Sequence, residues 1–264
     1  MITPSTLPSS LLFLLPFVCM ATNVSATAQE WTTLTGQFVV SGDVAQPEKL
    51  EITRDEEFCG QHGLVDESLL VNPDSHGLQN VVIWLSSKTD VPVHPSRQAA
   101  PKPVQLDNKD CRFVPRIVML RTNQVLQSTN ADPVVHNVAV YARRNQPFSI
   151  VVPEDKPLER SFAKSELLPI RVDCSIHAWM RAYLVITDHP YAAVTDQDGR
   201  FSIADVPQGT WEFRTWHERP GYLPEVTLDG KRTELNRGTL ELTLSTPEHD
   251  LGRVTITAAQ LAAD

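Results

Sequence analysis

Short apolar runs, separated by residues that favour turns, constrain the fold of this chain more than any other feature. The chain has 264 residues, of which 20 are proline and only 11 are glycine. Runs this short suit strands better than helices, so we predict an all-β protein built from β-sandwiches. The predicted strands are Leu34–Val40, Leu78–Leu85, Ile117–Arg121, Val134–Tyr141, Phe148–Val152, Pro169–Asp173, Arg181–Thr187, Phe201–Ile203, Thr210–His217, Thr239–Leu244 and Leu251–Thr257.

Two compact units are predicted from the length of the chain and from one turn signal. A strand-like run ends at Asp188-His189-Pro190, where a proline turn precedes a second series of strands. This places the units at residues 29–188, with a core at about 104–188, and at residues 189–264. Only Asp66–Leu70 and Ser161–Leu167 show a helical pattern, and both are very short.

The first 28 residues read as a signal peptide. An apolar run from Leu11 to Ala21 is followed by Ala26-Thr27-Ala28, which predicts cleavage after Ala28 and the loss of Cys19 with the leader. The leader has no Lys or Arg, so an uncleaved anchor stays an alternative. Export predicts a periplasmic or secreted protein. No later apolar segment approaches the length of a membrane helix, so we expect the mature chain not to span a membrane.

The charge of the chain argues against one class of partner. The formal net charge is -9, and no basic cluster exceeds the pair Arg143-Arg144. Nucleic acid is therefore not an expected partner. An acidic surface could instead steer a positively charged partner.

Three residues that are soft or nitrogen metal ligands recur at intervals of three, as Cys174-x-x-His177-x-x-Met180. A tight loop with this spacing can turn all three side chains toward one point, which a strand with its period of two cannot do. Thiolate, thioether and imidazole together select copper over calcium or magnesium. Two histidines, a cysteine and a weak axial methionine form the blue-copper site of electron-transfer proteins.

The second histidine is found upstream, at His136. Counting with a period of two places it on the same strand face as Val134, Val138 and Val140, which points it into the apolar interior. Each of these residues also has a simpler interpretation: a buried cysteine or methionine often fills a core, and a strand histidine is often a hydrogen-bonded core residue. The complete ligand set favours the metal.

The segment from about Val104 to Asp188 resembles the cupredoxin family, which includes plastocyanin, amicyanin and pseudoazurin. The resemblance rests on His136-Asn137-Val138, on the loop Cys174-x-x-His177-x-x-Met180, and on Phe113-x-Pro115 with the turn residue Asn123. It implies a Greek-key β-sandwich and one type 1 copper ion. The implied ligands are His136, Cys174, His177 and Met180, with Asn137 tying the two ligand segments together.

The resemblance also implies a function, which is single-electron transfer by cycling between Cu(I) and Cu(II). His177 would then be the electron port, within an apolar patch of Pro133, Ile176, Ala178 and Trp179 where a redox partner protein docks. The alternative is a copper store or sensor, or a surface-interaction protein, that has the same fold without a redox-carrier role. An enzyme would need a second cluster of histidines, and the eight histidines are scattered singly, so we expect no catalytic site.

Two further cysteines, Cys59 and Cys111, remain after export. Spare thiols in an oxidising compartment usually pair, so we predict a disulfide between them, although two free thiols stay an alternative. A metal site at Cys59-x-x-His62 is a weak alternative because structural zinc needs four ligands.

The C-terminal unit contains an Asp198-Gly199 turn and a Pro207-x-Gly209 turn between alternating strands. This pattern resembles the carboxypeptidase-regulatory or transthyretin-like sandwich. The resemblance implies a small β module for support or contact, without chemistry of its own. We expect His76, His94 and His249 to face solvent, and we find no catalytic partner beside His189 or His217.

Overall fold

The computed structural model describes residue 1 and residues 29–87, 89–99, 101–153 and 156–262. The predicted signal peptide, apart from its first residue, and Cys19 lie outside these ranges. Among the described helices, none combines the length and the apolar character needed to cross a membrane.

The fold is all-β, as the sequence predicts. The strands are β1 Trp31–Ser41, β2 Val82–Ser86, β3 Val104–Lys109, β4 Arg112–Val114, β5 Ile117–Arg121, β6 Val125–Asn130, β7 Asn137–Val140, β8 Phe148–Val151, β9 Leu158–Ser161, β10 Ile170–Asp173, β11 Arg181–Thr187, β12 Ala192–Val194, β13 Arg200–Pro207, β14 Gly209–His217, β15 Gly221–Tyr222, β16 Glu225–Leu228, β17 Lys231–Glu234, β18 Thr239–Leu244 and β19 Glu248–Thr257. One short α-helix, α1, covers Glu56–Cys59, and short 3-10 helices cover Gly60–His62, Pro95–Arg97, Asn236–Gly238 and Ala258–Leu261.

Neither of the two short segments with a helical pattern forms a helix. The segment 66–70 is a turn, because the Asp66 carboxylate accepts hydrogen bonds from the backbone and the hydroxyl of Ser68. The segment 161–167 contains the end of β9 followed by bends. The predicted strand Val134–Tyr141 is shortened to β7, since Asp132 and Pro133 form a turn that delays the start of pairing.

The middle of the chain, residues 104–187, forms one sandwich, which we call the inserted sandwich. One sheet has the order β5-β11-β10-β7-β8 and the other β4-β3-β6-β9. Buried side chains from both sheets share a core, including Leu106, Val118, Val138, Val172 and Leu184. Strands β3 and β6 escape sequence prediction because each carries polar residues along most of its length, as in VQLDNK and VLQSTN.

The remaining strands form a second sandwich, which we call the host sandwich. Its sheets have the orders β13-β1-β19-β16-β17 and β12-β2-β14-β15, and β18 also pairs with β14. Strand β1 runs antiparallel to β13 and parallel to β19, and β2 lies between β12 and β14. This pairing differs from the predicted division at residue 188, which grouped β1 and β2 with the copper unit. The sequence division followed chain order, whereas burial of Leu34 and Phe38 requires strands from beyond residue 200.

The two sandwiches meet through an apolar cluster and an ion pair. Val82 and Trp84 of the host sandwich pack with Ile117 and Val185 of the inserted sandwich. Beside them, the Arg116 guanidinium donates to both carboxylate oxygens of Glu218, at 2.8–3.2 Å. Burial raises the pKa of Glu218, and the neighbouring Arg116 opposes this shift.

Residues 48–67, which we call the cap, lie between β1 and β2 in the chain and pack against one end of the inserted sandwich. The cap is closed on itself by backbone hydrogen bonds from Leu50 to Leu64 and from Asp66 to Glu48. Its apolar side chains, including Phe58, pack with Trp179 and with the disulfide of Cys59 and Cys111. The cap therefore lies against the loop that carries the predicted copper ligands.

Candidate metal centre

The loop between β10 and β11 carries three of the four predicted ligands. Cys174 directly follows β10, and Met180 directly precedes β11. Two backbone hydrogen bonds close the loop, from Cys174 to the Met180 carbonyl at 3.3 Å and from Met180 to the His177 carbonyl at 2.9 Å. Because the two strands are paired at its base, the loop folds inward, and no more than 2% of Cys174, His177 or Met180 is exposed.

His136 lies immediately before β7 and is fully buried. Its backbone carbonyl accepts a hydrogen bond from the Val152 amide just beyond the end of β8, which fixes the residue next to the first residue of β7. The ring centroids of His136 and His177 are 4.6 Å apart. A ring nitrogen of each histidine and the sulfur of Cys174 all lie within 4.8 Å of one another. The structure therefore brings these three residues together, with Met180 buried in the same core.

Both histidines have one nitrogen held by a carboxylate and one that faces the site. The His136 Nε2 atom is 2.9 Å from Asp132 Oδ2, and the His177 Nε2 atom is 2.8 Å from Asp55 Oδ2. The Nδ1 atom of His136 is buried and has no hydrogen-bond partner among the described residues. The Nδ1 atom of His177 lies 3.8 Å from the Cys174 sulfur.

The protonation of His136 follows from this environment. Burial lowers its pKa, partly offset by the hydrogen bond to Asp132 and reinforced by the nearby His177. A neutral imidazole carries one N–H group, and here the Nε2–H donates a hydrogen bond to the carboxylate of Asp132. The lone pair of Nδ1 is then free to bind a metal ion.

Asp132 is itself fixed by the backbone. Its two carboxylate oxygens accept hydrogen bonds from the Asp110 amide at 2.7 Å and from the Cys111 amide at 2.8 Å. Asp132 is buried, so these bonds and the one to His136 satisfy a charge that would otherwise be costly.

Asn137 links the ligand loop to the sheet, which is the position that the resemblance implied for it. Its Oδ1 atom accepts hydrogen bonds from the Ser175 amide at 2.8 Å, from the Ser175 hydroxyl at 2.9 Å and from the Cys174 sulfur at 3.4 Å. Its amide nitrogen donates to the Ser149 hydroxyl on β8. The sulfur is therefore held by a hydrogen bond on the side facing Asn137.

These residues fit a soft metal ion such as copper. The donor set combines a free thiol with two imidazole nitrogens, and the unpartnered Nδ1 atom of His136 is a buried polar atom that a bound ion would satisfy. Two donors 3.8 Å apart can both lie about 2.0–2.3 Å from one ion, the usual range for imidazole and thiolate ligands. A second group, Cys111 with Asp132 and His136, does not offer a thiolate because Cys111 is in a disulfide.

The predicted electron port is corrected by the structure. The resemblance implied that the ring edge of His177 opens onto an apolar patch, but His177 is completely buried and Asp55 of the cap lies 2.8 Å from its Nε2 atom. Of the predicted apolar patch, Pro133 and Ala178 are exposed, whereas Ile176 and Trp179 are only partly exposed. The Trp179 indole donates to the Cys111 carbonyl and so holds the cap side of the loop.

Cys59 and Cys111 form a disulfide in the structure, with Cα atoms 5.5 Å apart. Cys59 is therefore not available as a metal ligand beside His62. The turn residue Asn123 has a positive φ of 62°, the conformation that glycine often supplies.

Other histidines are placed individually. His76 is exposed, while His94 and His249 are partly exposed. His189 and His217 are buried and hydrogen-bonded to backbone atoms, and burial lowers the pKa of both, to about 3 for His217.

Sequence reasoning missed both carboxylates that hold the histidines. Asp132 stands four residues before His136, so a search for acidic neighbours of the ligand motif could have found it. Asp55 is 122 residues from His177 along the chain. The only sequence signal for the position of Asp55 is the predicted disulfide, because it places the cap near the turn that contains Cys111.

Comparisons with known proteins give a likeness to small copper proteins. No protein-family model matches the chain, and no curated protein matches it. Amicyanin from Paracoccus versutus is similar over 39% of this chain and 96% of its own, with 18% identity and a TM-score of 0.29. A reduced, Cu(I) form of an amicyanin mutant is similar over 39% of this chain and 97% of its own, with 14% identity and a TM-score of 0.29.

A larger protein is also similar over part of its length. The copper-containing nitrite reductase from Thermus scotoductus SA-01 shares 17% identity over 37% of this chain, with a TM-score of 0.30. The chain spans only 25% of that reductase.

Proposed function

We propose that this protein is an exported type 1 copper protein that carries single electrons. The observation that supports this most directly is the orientation of the two imidazoles. Each has its Nε2 atom bonded to a carboxylate, while the sulfur of Cys174 lies within 4.8 Å of a nitrogen of both rings. His136, Cys174 and His177 would hold the copper, with Met180 as a weak fourth ligand.

When bound, copper supplies a centre that gains or loses one electron. The residues of this chain keep the donors in place while that happens. Asp132 and Asp55 fix the two rings, and Asn137 fixes the start of the ligand loop. Because the donors are held by hydrogen bonds in a close-packed core, these residues would move little when a bound copper ion gained or lost an electron, which would favour rapid exchange.

Burial of the site favours a carrier over an enzyme. His136 and His177 are fully buried and Cys174 is 2% exposed, so the described residues offer no open position for a substrate at the donors. We therefore assign no catalytic residue.

A redox partner would dock beside His177 rather than on it. Ala178 follows the buried His177, and Pro133 and Val135 lie just before His136 in the chain; all three are exposed, Val135 to 49%. This small apolar surface, whose residues adjoin both ligands, is the proposed contact area. The apolar run Leu11–Ala21 supports export and hence a periplasmic or secreted location.

Copper titration of the mature chain, residues 29–264, tests the proposal. We expect one equivalent of Cu(II) to give an intense blue absorption, because a thiolate bound to Cu(II) absorbs strongly by charge transfer. Cys174→Ser should be colourless, while His249→Gln, in the host sandwich, should stay blue. A colourless wild type under oxidising conditions would refute the proposal.

A copper store or sensor is the second candidate, and the covered His177 favours it. A store should release copper when it is reduced, whereas a carrier should keep the ion and cycle reversibly. Cyclic voltammetry combined with a Cu(I) chelator in solution separates the two. Repeated cycling without metal loss supports the carrier, and transfer of Cu(I) to the chelator supports the store.

A further inference from the structure

The cap delivers a carboxylate to one of the proposed ligands from a distant part of the chain. Asp55 Oδ2 lies 2.8 Å from His177 Nε2, and 38% of the Asp55 side chain is exposed. Its backbone carbonyl accepts hydrogen bonds from the Phe58 and Cys59 amides, at 3.0 and 2.8 Å. Asp55 is therefore fixed at the start of α1, with its carboxylate between His177 and solvent.

A disulfide and two hydrogen bonds relate the cap to the other histidine. Cys59, at the end of α1, is bonded to Cys111, and the Cys111 amide donates to Asp132, which holds His136. The Cys111 carbonyl also accepts from the Trp179 indole on the ligand loop. The disulfide thus ties the cap to the residues that position both imidazoles.

A carboxylate bonded to an imidazole N–H has a defined effect on a metal at the opposite nitrogen. It fixes the ring orientation and increases the basicity of the ligating nitrogen. Its negative charge also favours the more positive oxidation state of a nearby ion. Both effects stabilise Cu(II) more than Cu(I), and hence lower the reduction potential.

We infer that Asp55 is a positioning residue that lowers the reduction potential of the copper and keeps His177 covered. This inference rests on the proposed copper site. It assigns to the cap a part of the metal centre, although the cap lies outside the sandwich that contains the ligands.

The first test compares Asp55→Asn with Glu57→Gln in the copper-loaded mature protein. Both variants remove one negative charge from the cap, but Glu57 is exposed and forms no hydrogen bond to His177. We expect Asp55→Asn to weaken Cu(II) binding by about 10–100-fold, the usual effect of losing a partner of a metal-bound histidine, with a smaller effect on Cu(I). For each tenfold by which the loss of Cu(II) affinity exceeds the loss of Cu(I) affinity, the reduction potential should rise by about 59 mV.

Glu57→Gln should leave the potential close to that of the wild type. Equal shifts in the two variants would overturn the inference, since they would show a general charge effect rather than one transmitted through His177. A blue wild type whose potential does not move in Asp55→Asn overturns this inference alone. A wild type that binds no copper overturns the proposed function and this inference together.

The second test uses the metal-free protein and measures the accessibility of His177 directly. Diethyl pyrocarbonate acylates accessible imidazoles, and peptide mass spectrometry identifies the modified histidine. We expect His177 to be protected in the wild type and in Glu57→Gln, and to react several-fold faster in Asp55→Ala and in the double variant Cys59→Ser/Cys111→Ser. Unchanged protection in Asp55→Ala, with exposed His76 reacting normally in every protein, contradicts the covering role.

Discussion

At the scale of single residues, Asn137 connects more of the site than any proposed ligand. It accepts three hydrogen bonds from Cys174 and Ser175 and donates one to Ser149, and only 4% of it is exposed. These bonds exist without a metal ion, so they shape the loop that carries the proposed ligands in the metal-free protein.

We predict that Asn137→Ala lowers the free energy of unfolding of the metal-free protein by about 2 kcal/mol, because several hydrogen bonds are lost at a buried position. Ser149→Ala removes only one of these bonds and should cost about 1 kcal/mol. Urea denaturation followed by tryptophan fluorescence measures both. Equal losses in the two variants would show that the bonds to the ligand loop contribute nothing.

At the scale of elements, local pattern predicts strands well where one face is apolar. Strands β5, β11 and β18 have the predicted bounds, and their alternating or continuous apolar residues explain why. Strands β3 and β6 were missed because polar side chains dominate them. His136 was placed in a strand by its period, but the turn at Asp132 and Pro133 moves it to the residue before β7.

The end of β14 carries a buried histidine whose charge state makes stability depend on pH. Burial lowers the pKa of His217 to about 3 in the folded protein, from an ordinary value of 6.5. Between these values the unfolded chain takes up a proton and the folded chain does not. Stability from this residue is therefore complete above pH 6.5 and is lost as the pH falls toward 3.

We predict that His217 alone lowers the free energy of unfolding by about 2 kcal/mol between pH 7 and pH 5. In His217→Gln, which has no proton to gain, the loss over this interval should be smaller by that amount. His249→Gln, at a partly exposed position of β19, should behave as the wild type. Urea denaturation at the two pH values provides the comparison, and parallel losses in all three proteins would contradict it.

At the scale of the whole molecule, the strand order makes the N-terminal strands dependent on the C-terminal ones. Strand β1 pairs with β13 and β19, and β2 pairs with β12 and β14. The core of the inserted sandwich, in contrast, is contributed by residues between Leu106 and Ile186.

We predict that a fragment of residues 29–188 exposes β1 and β2 and aggregates, because their apolar faces and edges have no partners. A fragment of residues 101–188 with Cys111→Ser should remain folded, with a β-type circular dichroism spectrum and a cooperative thermal transition. Cooperative unfolding of the 29–188 fragment as a monomer would contradict this interpretation of the sheets.

The sequence therefore predicts which side chains converge more readily than it predicts the architecture around them. The spacing of Cys174, His177 and Met180 is local, and the chemistry of these side chains is selective. The position of Asp55 on His177 and the pairing of β1 with β19 depend on contacts between residues far apart in the chain, which no local pattern encodes. The turn at Asp188-His189-Pro190 marks where the inserted sandwich ends. It does not reveal that strands before the inserted sandwich pair with strands after it.

The inserted sandwich lies in the chain between strands of the host sandwich, and this order determines which strands can pair first during synthesis. When β1 leaves the ribosome, its first partner residue in β13, at position 200, has not yet been translated. The inserted sandwich can assemble as soon as β11 emerges. At that point β1 and β2 still lack their partner strands, so their apolar side chains remain exposed. A holding chaperone that shields this early segment would therefore matter more to the yield of the protein than one that acts on the inserted sandwich.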